Sequence, residues 1–385
     1  GKSTFFAAAT LAPAAIGNYP FTTIQPNHGV GFVRVADPGA ELGVASTPRS
    51  GRVEGGVRYV PVDLVDVAGL VPGAHQGRGL GNRFLADLGQ ADALLHIVDA
   101  SGGTDAEGNV VAPGSHDPLE DIRFLETELD RWIAGLLGED WDRLAKRVQM
   151  EGRKLESAIA EKLLGIGINE TLALKGLREA GLAGKRPTEL DAAAVDALAQ
   201  AVRRASKPVV VVLNKADAAP PGQLARLKAA VHGPVVVASA QGELALAKGA
   251  QAGLLDYAPG AAAFTPRATL SEAQRKGLDY IRAHVLGPLG STGVAQALEA
   301  AVFGLLQRVP VFPVEDETAL TDKEGRVLPD CHLVAPGTTA RQLAYRVHTD
   351  LGDHFIRAID CRTRRAIGAD HALKAGDVVK IVAKA

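Results

Sequence analysis

An acidic residue and a glycine that follow the apolar segment 59–65 constrain the fold of this chain more than any other feature. The segment reads Tyr-Val-Pro-Val-Asp-Leu-Val, and Asp66-Val67-Ala68-Gly69-Leu70 comes directly after it. An acid at the carboxyl end of a buried strand, with a glycine that lets backbone approach a ligand, is typical of α/β proteins that hold a metal ion and a terminal phosphate. We therefore expect Asp66 to hold a metal through water and the Gly69 amide to meet a phosphate.

The first four residues, Gly-Lys-Ser-Thr, match the end of the phosphate-binding loop G-x-x-x-x-G-K-[ST]. In such a loop Lys2 reaches the β and γ phosphates and Ser3 places its hydroxyl on Mg²⁺. Gly1 and Thr4 flank these two residues. A helix is predicted over 1–11, and the exposed amides at the start of a helix favour anions. Because the first half of the loop and its strand are missing, we expect this sequence to be a fragment of a longer protein. Four residues alone are a weak signal that arises often by chance.

A second loop motif, Asn-Lys-Ala-Asp, follows the apolar strand predicted at 208–213 and has the composition of a guanine-reading loop. The Asp217 carboxylate can accept hydrogen bonds from N1–H and the 2-amino group of guanine, two donors that adenine lacks on that edge. We expect Asn214 to brace the loop and Lys215 to lie against the base. Together with the other two motifs, this loop predicts a nucleoside triphosphatase that uses GTP.

Two further predicted strands end at small or acidic residues. Ser239 and Ala240 end the strand predicted at 235–240, where the Ala240 amide can approach the guanine oxygen. The dipeptide means nothing by itself and gains value from its position downstream of the Asn-Lys-Ala-Asp motif. Asp99 lies near the end of a strand predicted at 93–100, and we expect it to support the site rather than to perform chemistry.

The segment 18–27 is bracketed by prolines and cannot form a regular helix. Its threonines are candidates for the hydroxyl that senses Mg²⁺ and the γ phosphate, and Thr23 is favoured. The alternative is ordinary turn chemistry, since a threonine pair in a loop often serves only the backbone.

The segment 70–84 is rich in glycine, and a loop this permissive fits a segment that closes only on a triphosphate. Many GTPases place a water-orienting glutamine after the glycine that Gly69 represents, whereas this chain has Leu70, which neither donates nor accepts a hydrogen bond. Either another group, with His75 as the candidate, positions the water, or intrinsic hydrolysis is slow. The alternative for His75 is an ordinary solvated loop histidine.

Composition excludes several classes of function. The formal net charge of the 385 residues is only -2, so no global field indicates a nucleic-acid or membrane partner. The two cysteines, Cys331 and Cys361, give neither a metal-binding spacing nor a disulfide framework, which suits a reducing compartment. No apolar stretch reaches membrane-spanning length. We therefore expect a cytoplasmic protein with no membrane or DNA partner.

The chain divides into an α/β part, a helical insertion and a small C-terminal module. Apolar residues at helical spacing between about 119 and 205 predict an inserted α-helical hairpin or small helical domain. Its exposed basic residues either contact RNA or protein or form the wet face of a helix. Short strands and one main helix after about 310 suggest a β-grasp module. The expected domain boundaries are 1–120, 121–205, 206–308 and 309–385. Besides the strands named above, we expect strands at 29–35, 57–65, 311–314, 355–360 and 377–383, and the main helix of the last module at 339–350.

Taken together, the motifs resemble those of the YchF branch of the Obg-like GTPases. The resemblance runs over essentially the whole chain and includes NYPFTTIQPN, DVAGLVPGAHQGRGLGNRFL and NKAD. It implies a P-loop NTPase G domain with an inserted α-helical domain and a C-terminal β-grasp domain of the TGS type. It also implies Mg²⁺, a hydrophobic residue, here Leu70, in place of the catalytic glutamine, and a link to ribosomes or RNA. The best-known members favour ATP through a modified base-reading motif, but the intact NKAD resembles archaeal-type relatives and agrees with GTP.

The favoured hypothesis is a GTP-hydrolysing switch that binds GTP and GDP and acts on the ribosome or RNA. The residues expected to carry the chemistry are Lys2, Thr23, Gly69 and His75, and the metal is expected at Ser3, Thr23 and Asp66. The nucleotide is expected to contact Gly1, Lys2, Ser3, Thr4, Asn214, Lys215, Asp217, Ser239 and Ala240. One alternative is an ATPase of the same family. Another is an adaptor that binds ribosomes or RNA with negligible turnover.

Overall fold

The computed structural model describes residues 1–11, 28–67, 88–89, 91–106 and 108–384. These residues form two compact units, one made of Gly1–Ser3 with Val65–Ser239 and the other of Thr4–Leu64 with Ala240–Ala385. Each unit has its own sheets and hydrophobic core.

The first elements of the chain are a helix and a small sheet. The alanine-rich helix α1 covers Lys2–Thr10, as the sequence predicted, because alanine has the highest helix propensity. The strands are β1 His28–Ala36, β2 Arg52–Glu54 and β3 Val57–Val65, in the order β1-β3-β2. Strands β2 and β3 pair antiparallel through a turn at Gly55 and Gly56, whose φ angles of 57° and 77° suit glycine. The connection from β1 also contains the short helix α2, Gly39–Leu42.

A parallel sheet of three strands forms the centre of the first unit as far as it is described. Its strands are β4 Leu94–Asp99, β5 Val209–Asn214 and β6 Val235–Val237. Strand β5 lies in the middle and runs parallel to both neighbours. Its run of valines is typical of a strand that is covered on both faces. The predictions for β4 and β5 are confirmed, whereas the strand predicted at 235–240 ends at Val237.

Five α-helices occupy residues 118–206 between β4 and β5. They are α3 Pro118–Gly138, α4 Trp141–Glu151, α5 Leu155–Lys162, α6 Glu170–Glu179 and α7 Ala192–Ser206. The side chains of Asp117, Asn169 and Asp191 each accept a backbone N–H at a helix start, which fixes where α3, α6 and α7 begin. The helices share one core that includes Trp132, Ile133 and Leu198. The segment therefore contains five α-helices, more than the two of a helical hairpin.

Residues 216–308 are mainly helical. The first unit ends at Ser239 in this segment, and the second unit resumes at Ala240. The elements are α8 Gln223–Ala230, α9 Ala240–Gln251, β7 Leu255–Asp256, β8 Thr265–Pro266, α10 Glu272–Ile281, α11 Gly287–Leu289 and α12 Val294–Glu299. Ala240 is therefore the first residue of a helix and not the last residue of a strand, which corrects the prediction. The error arose because small residues after a β-branched run carry no signal for the change from strand to helix.

The C-terminal elements form a five-stranded mixed sheet with one main helix. They are β9 Val309–Val314, β10 His332–Val334, α13 Ala340–Val347, α14 Thr349–Asp353, β11 Phe355–Asp360, β12 Arg365–Ile367 and β13 Val378–Ala383. The order is β10-β9-β13-β11-β12, and only the β9–β13 pairing is parallel among these described strands. Leu343 of α13 packs in one core with Val311, Ala358 and Val379 of the sheet. This is the predicted β-grasp arrangement.

The helix predicted at 339–350 is two helices. Thr339 and Gln342 form a reciprocal capping box that starts α13. His348 is extended, with a φ of −161° and a ψ of 140°, and its side chain caps the start of α14. Among the described residues, no helix is both long and apolar enough to cross a membrane.

Candidate functional site

The carboxyl edge of the parallel sheet gathers polar residues from three strands. Asp99 ends β4 and Asn214 ends β5, and the two are register partners across the sheet. Ser239 follows β6 and is buried, as is Asn214. Open α/β sheets bind their ligands outside the carboxyl ends of the strands. The fold therefore brings the two predicted residues Asn214 and Ser239 to the edge where a ligand is expected.

The loop after β5 is held to the sheet at two backbone positions. The Ala100 amide donates to the Asn214 carbonyl at 2.8 Å, and the Ala216 amide donates to the Ala238 carbonyl at 3.1 Å. Between these anchors Lys215 adopts the left-handed conformation with a φ of 55°. Asp217 follows in the short 3₁₀ turn Ala216–Ala218 and is half-buried. The backbone thus holds Asp217 at the surface of a loop that is itself well anchored.

The tip of Lys215 contacts a neighbouring loop. Its Nζ donates to Asp99 Oδ2 at 2.6 Å and to Thr104 Oγ1 at 3.3 Å. The role expected for Asp99, support of the site, agrees with this contact. No sequence motif identifies Thr104. Its only signal was its position in the loop after an acid-terminated strand, which is too general to identify a residue.

The phosphate motif at the start of the chain contacts the acidic motif that follows β3. Lys2 Nζ donates a hydrogen bond to Asp66 Oδ1 in an ion pair across 64 residues of sequence. The Lys2 side chain is 44% exposed and that of Asp66 16%, so solvent screens the pair and it contributes little stability. A weakly held lysine of this kind is free to exchange the carboxylate for a phosphate.

The start of the chain also lies beside the loop after β5. A Cβ built on Gly1 would be 3.7 Å from Asn214 Nδ2. Residues from all three motifs therefore meet at one place, with Lys2 on Asp66 and Gly1 beside Asn214.

The remaining predicted residues divide into two groups. Ser3 is exposed in the first turn of α1, and Thr4, the next residue of that turn, is half-buried. Ala240 is buried at the start of α9. Thr23, Gly69 and His75 lie outside the described residues, as does Leu70.

The side-chain oxygens of Ser3 and Asp66 are of the kind that Mg²⁺ prefers as ligands. This ion prefers hard oxygen ligands, keeps several waters and is usually held by one or two carboxylates together with substrate phosphates. Within the described ranges, no group of three or more His, Cys, Asp or Glu side chains is placed to hold a metal ion. Ser3 and Asp66 are therefore the residues whose chemistry suits a metal shared with a phosphate ligand.

Comparison with known protein families matches three parts of the chain. Residues 1–125 match the family described as 50S ribosome-binding GTPase. Residues 212–316 match the G4 motif-containing domain of the Obg-like, YGR210-like GTPases, and residues 320–383 match the TGS domain.

Individual proteins are similar over the whole chain or over part of it. The uncharacterized GTP-binding protein MJ1332 of Methanocaldococcus jannaschii is 44% identical over 387 residues, which cover 100% of this chain and 97% of that protein. The crystal structure of a GTP binding protein from Pyrococcus horikoshii OT3 is 40% identical with a TM-score of 0.79, and the match covers 100% of this chain and 97% of the other. The ribosome-binding ATPase YchF of Haemophilus influenzae is 37% identical over 172 residues, or 43% of this chain and 44% of that protein.

Proposed function

Because the chain belongs to the YchF branch of the Obg-like GTP-binding proteins, a P-loop GTPase family with a TGS domain, we propose that it binds Mg²⁺-GTP and hydrolyses it to GDP and phosphate. The observation that supports this proposal best is the meeting of three motifs that lie far apart in sequence. Lys2 contacts Asp66, and Gly1 lies beside Asn214 in the loop that presents Asp217. The element that we propose to bind phosphate is thus adjacent to the element that we propose to read the base.

Recognition of guanine is assigned to Asp217. An ionised carboxylate is only an acceptor, and guanine offers two donors on the edge where adenine offers none. The anchors at Asn214 and Ala216 hold the loop before the base arrives, so little ordering cost remains at binding. In this proposal the Ser239–Ala240 backbone approaches the guanine oxygen.

Phosphate recognition is assigned to the start of α1. Lys2 leaves Asp66 and contacts the β and γ phosphates, where the exposed amides of the helix start also favour negative charge. Ser3 and, through water, Asp66 would hold Mg²⁺, which when bound neutralises charge on the phosphate oxygens. Thr23 and the Gly69 amide are assigned to the γ phosphate and His75 to the attacking water, as the sequence predicts. Phosphoryl transfer needs positioning and charge stabilisation rather than a covalent nucleophile.

The base assignment is tested by titrating the protein with GTP, ATP and xanthosine triphosphate. We expect GTP to bind at least about a hundredfold more tightly than ATP, because a site built to pair with two donors is left unpaired by adenine. Asp217→Asn reverses part of the hydrogen-bond pattern and is expected to shift preference towards xanthosine triphosphate. Asp121→Asn makes the same chemical change at a carboxylate that pairs with His116 instead, and is the control. Equal affinity for ATP and GTP would show that the assignment of guanine recognition to Asp217 is wrong and would favour the ATPase alternative.

Turnover is tested separately, because Leu70 replaces the glutamine that many GTPases use. Release of phosphate from GTP in a single-turnover experiment is expected to depend on Lys2. Lys2→Met is expected to weaken GTP binding more than GDP binding, since the lysine is assigned to the γ phosphate as well as the β phosphate. Binding of GTP without any measurable phosphate release would support the adaptor and contradict the hydrolase.

For a partner we propose the ribosome or its RNA. Helix α4 presents Arg143, Lys146 and Arg147 at positions i, i+3 and i+4, and all three are exposed beside Met150, which is 87% exposed. Such a basic face neutralises phosphates, and its contribution falls steeply with salt. The name of the Haemophilus relative, a ribosome-binding ATPase, points to the same partner.

This surface is tested by co-sedimentation with ribosomes at increasing salt, with GDP and with a non-hydrolysable GTP analogue. Changing all three basic residues of the α4 face to glutamine is expected to reduce both binding and its salt dependence. The control changes Lys175, Lys185 and Arg178 to glutamine, which removes the same charge from other exposed positions. Binding that ignores the nucleotide would favour the adaptor, and unchanged binding by the α4 variant would refute this face.

A further inference from the structure

The side chain of Lys215 is fixed at both ends. At the backbone, Lys215 is in the left-handed conformation between the anchored residues Asn214 and Ala216. At the tip, its ammonium donates to Asp99 Oδ2 at 2.6 Å and to Thr104 Oγ1 at 3.3 Å. A lysine normally keeps much of its rotamer freedom at a surface. Here the hydrocarbon stem is held between two fixed points.

The acceptor of this contact is itself held by its neighbours. Asp99 Oδ2 accepts from Thr104 Oγ1 at 2.6 Å, and Oδ1 accepts from the Ser101 hydroxyl at 2.6 Å and the Ser101 amide at 3.0 Å. Burial alone would raise the pKa of Asp99, but the hydrogen bonds from Lys215, Ser101 and Thr104 outweigh burial and lower the pKa. The carboxylate therefore stays ionised at neutral pH and keeps its attraction for the lysine.

The loop that carries Thr104 is also tied down, so the anchor is not a passing side-chain contact. The Gly102 amide donates to the Asp99 carbonyl at 3.1 Å, and Thr104 pairs with Val110 in an isolated antiparallel bridge. Farther along this connection, Asp117 caps helix α3 and accepts from Arg226 at 2.8 Å. The loop that anchors Lys215 is thus fixed to the helical part of the same unit.

We infer that Asp99 and Thr104 are positioning residues for the base site, which hold the stem of Lys215 as a preformed platform against which the guanine base packs. This inference rests on the proposed function, since it takes guanine as the ligand. A side chain that is already ordered loses little freedom when the ligand binds, and affinity rises accordingly. The acid–hydroxyl pair acts through the lysine and does not itself touch the nucleotide.

The test is a double-mutant cycle between Asp99→Ala and Lys215→Met, measured as the dissociation constant for GDP. Asp99→Ala alone is expected to weaken GDP binding by about three- to tenfold, the range for one long side chain that must be ordered on binding. In the Lys215→Met background, which keeps the stem and removes the ammonium, Asp99→Ala is expected to have almost no further effect. Independent, additive effects would refute the inference, because residues that act as a unit are not additive.

Two further measurements separate positioning from a general defect in folding. Thr104→Val is expected to weaken GDP binding and Thr104→Ser to restore it, because only the hydroxyl is used. Inorganic tripolyphosphate, which lacks a base, is expected to bind all these variants equally. Loss of tripolyphosphate binding together with GDP binding would show a structural role and refute the inference. Asp121→Asn serves again as the control in the same part of the unit.

The outcome is distinguishable from failure of the proposed function. If Asp217→Asn shifts preference towards xanthosine nucleotides while the Asp99 and Lys215 effects add, guanine recognition stands and only the platform is refuted. If Asp217→Asn does not alter base preference, the proposed function itself is contradicted, whatever the cycle shows.

Discussion

Buried Arg58 connects strand β3 to the turn that precedes β10 within the second unit. Its guanidinium is 1% exposed and donates to the Leu328 carbonyl at 2.6 Å and to the Pro329 carbonyl at 2.9 Å. It also lies 3.9 Å from Asp37 Oδ2, a buried atom that has no hydrogen-bond partner among the described residues. A change to methionine keeps the approximate length of the side chain and removes every donor.

The consequences of Arg58→Met follow from what each partner keeps. Both carbonyls lose the arginine donor, but the Pro329 carbonyl still accepts from the Arg49 amide at 2.8 Å, whereas the Leu328 carbonyl keeps no donor among the described residues. Leaving one buried acceptor unsatisfied costs about 1–3 kcal/mol. Removing one member of a buried ion pair costs about 3–5 kcal/mol. Because the contact to Asp37 is long, we take the lower end of each range and expect the free energy of unfolding to fall by about 4 kcal/mol. This is a large part of the roughly 5–15 kcal/mol by which a typical domain is stable.

The assay is native-state hydrogen exchange of the strands β9 and β13, because both tryptophans, Trp132 and Trp141, lie in the helical part of the other unit and do not report on this region. We expect the free energy of opening of these strands to fall by the stated amount. The matched control is Arg52→Met, in which the partner Glu54 is 60% exposed and the expected loss is below about 1 kcal/mol. Adding Asp37→Asn to Arg58→Met is expected to recover part of the loss.

Two results would refute this reasoning. A loss no larger than that of Arg52→Met would show that the buried guanidinium is replaced by water or by relaxation of the turn. A full loss that Asp37→Asn does not reduce would show that the Leu328 carbonyl, and not the buried charge, carries the effect.

Two further predictions concern buried groups elsewhere. Glu243 is buried and accepts a hydrogen bond from the Tyr257 hydroxyl at 2.6 Å, and burial raises its pKa. Its contribution to stability is therefore present below the ordinary carboxyl pKa and is lost as the pH rises through the raised pKa. Glu243→Gln is expected to remove this fall in the free energy of unfolding with rising pH, and Glu243→Ala is expected to lower the free energy of unfolding by about 3 kcal/mol. Urea unfolding at several pH values measures both, and an unchanged pH profile in the glutamine variant would contradict the prediction. Gly176→Ala would place a Cβ 2.5 Å from Val202 Cγ2 and is expected to lower the free energy of unfolding by about 1–3 kcal/mol. Gly135→Ala, where the Cβ would enter open space, is expected to raise it by about 1 kcal/mol. Tryptophan fluorescence in urea measures both, and equal effects would refute the packing argument.

Local patterns were sufficient where each residue's neighbours in sequence decide its conformation. Strand β3 runs from Val57 to Val65, as predicted, because alternating and β-branched residues favour a pleated surface and a glycine pair sets its start. The prediction of a single helix at 339–350 was wrong because His348 ends α13 with an extended backbone and caps the next helix. That choice depends on a side-chain hydrogen bond which periodicity does not reveal.

The amino-acid sequence by itself determined the candidate groups for ligand binding: a lysine and hydroxyl after a glycine, an acid after a strand, and a carboxylate in the loop after β5. These follow from residue type and spacing. Only the tertiary structure decided that Lys2 meets Asp66 and that Lys215 meets Asp99 across 116 residues. For Lys215 and Asp99 the physical reason is that the parallel strands β4 and β5 bring their carboxyl ends to one edge through a long crossover. No local pattern encodes which residues then come into contact.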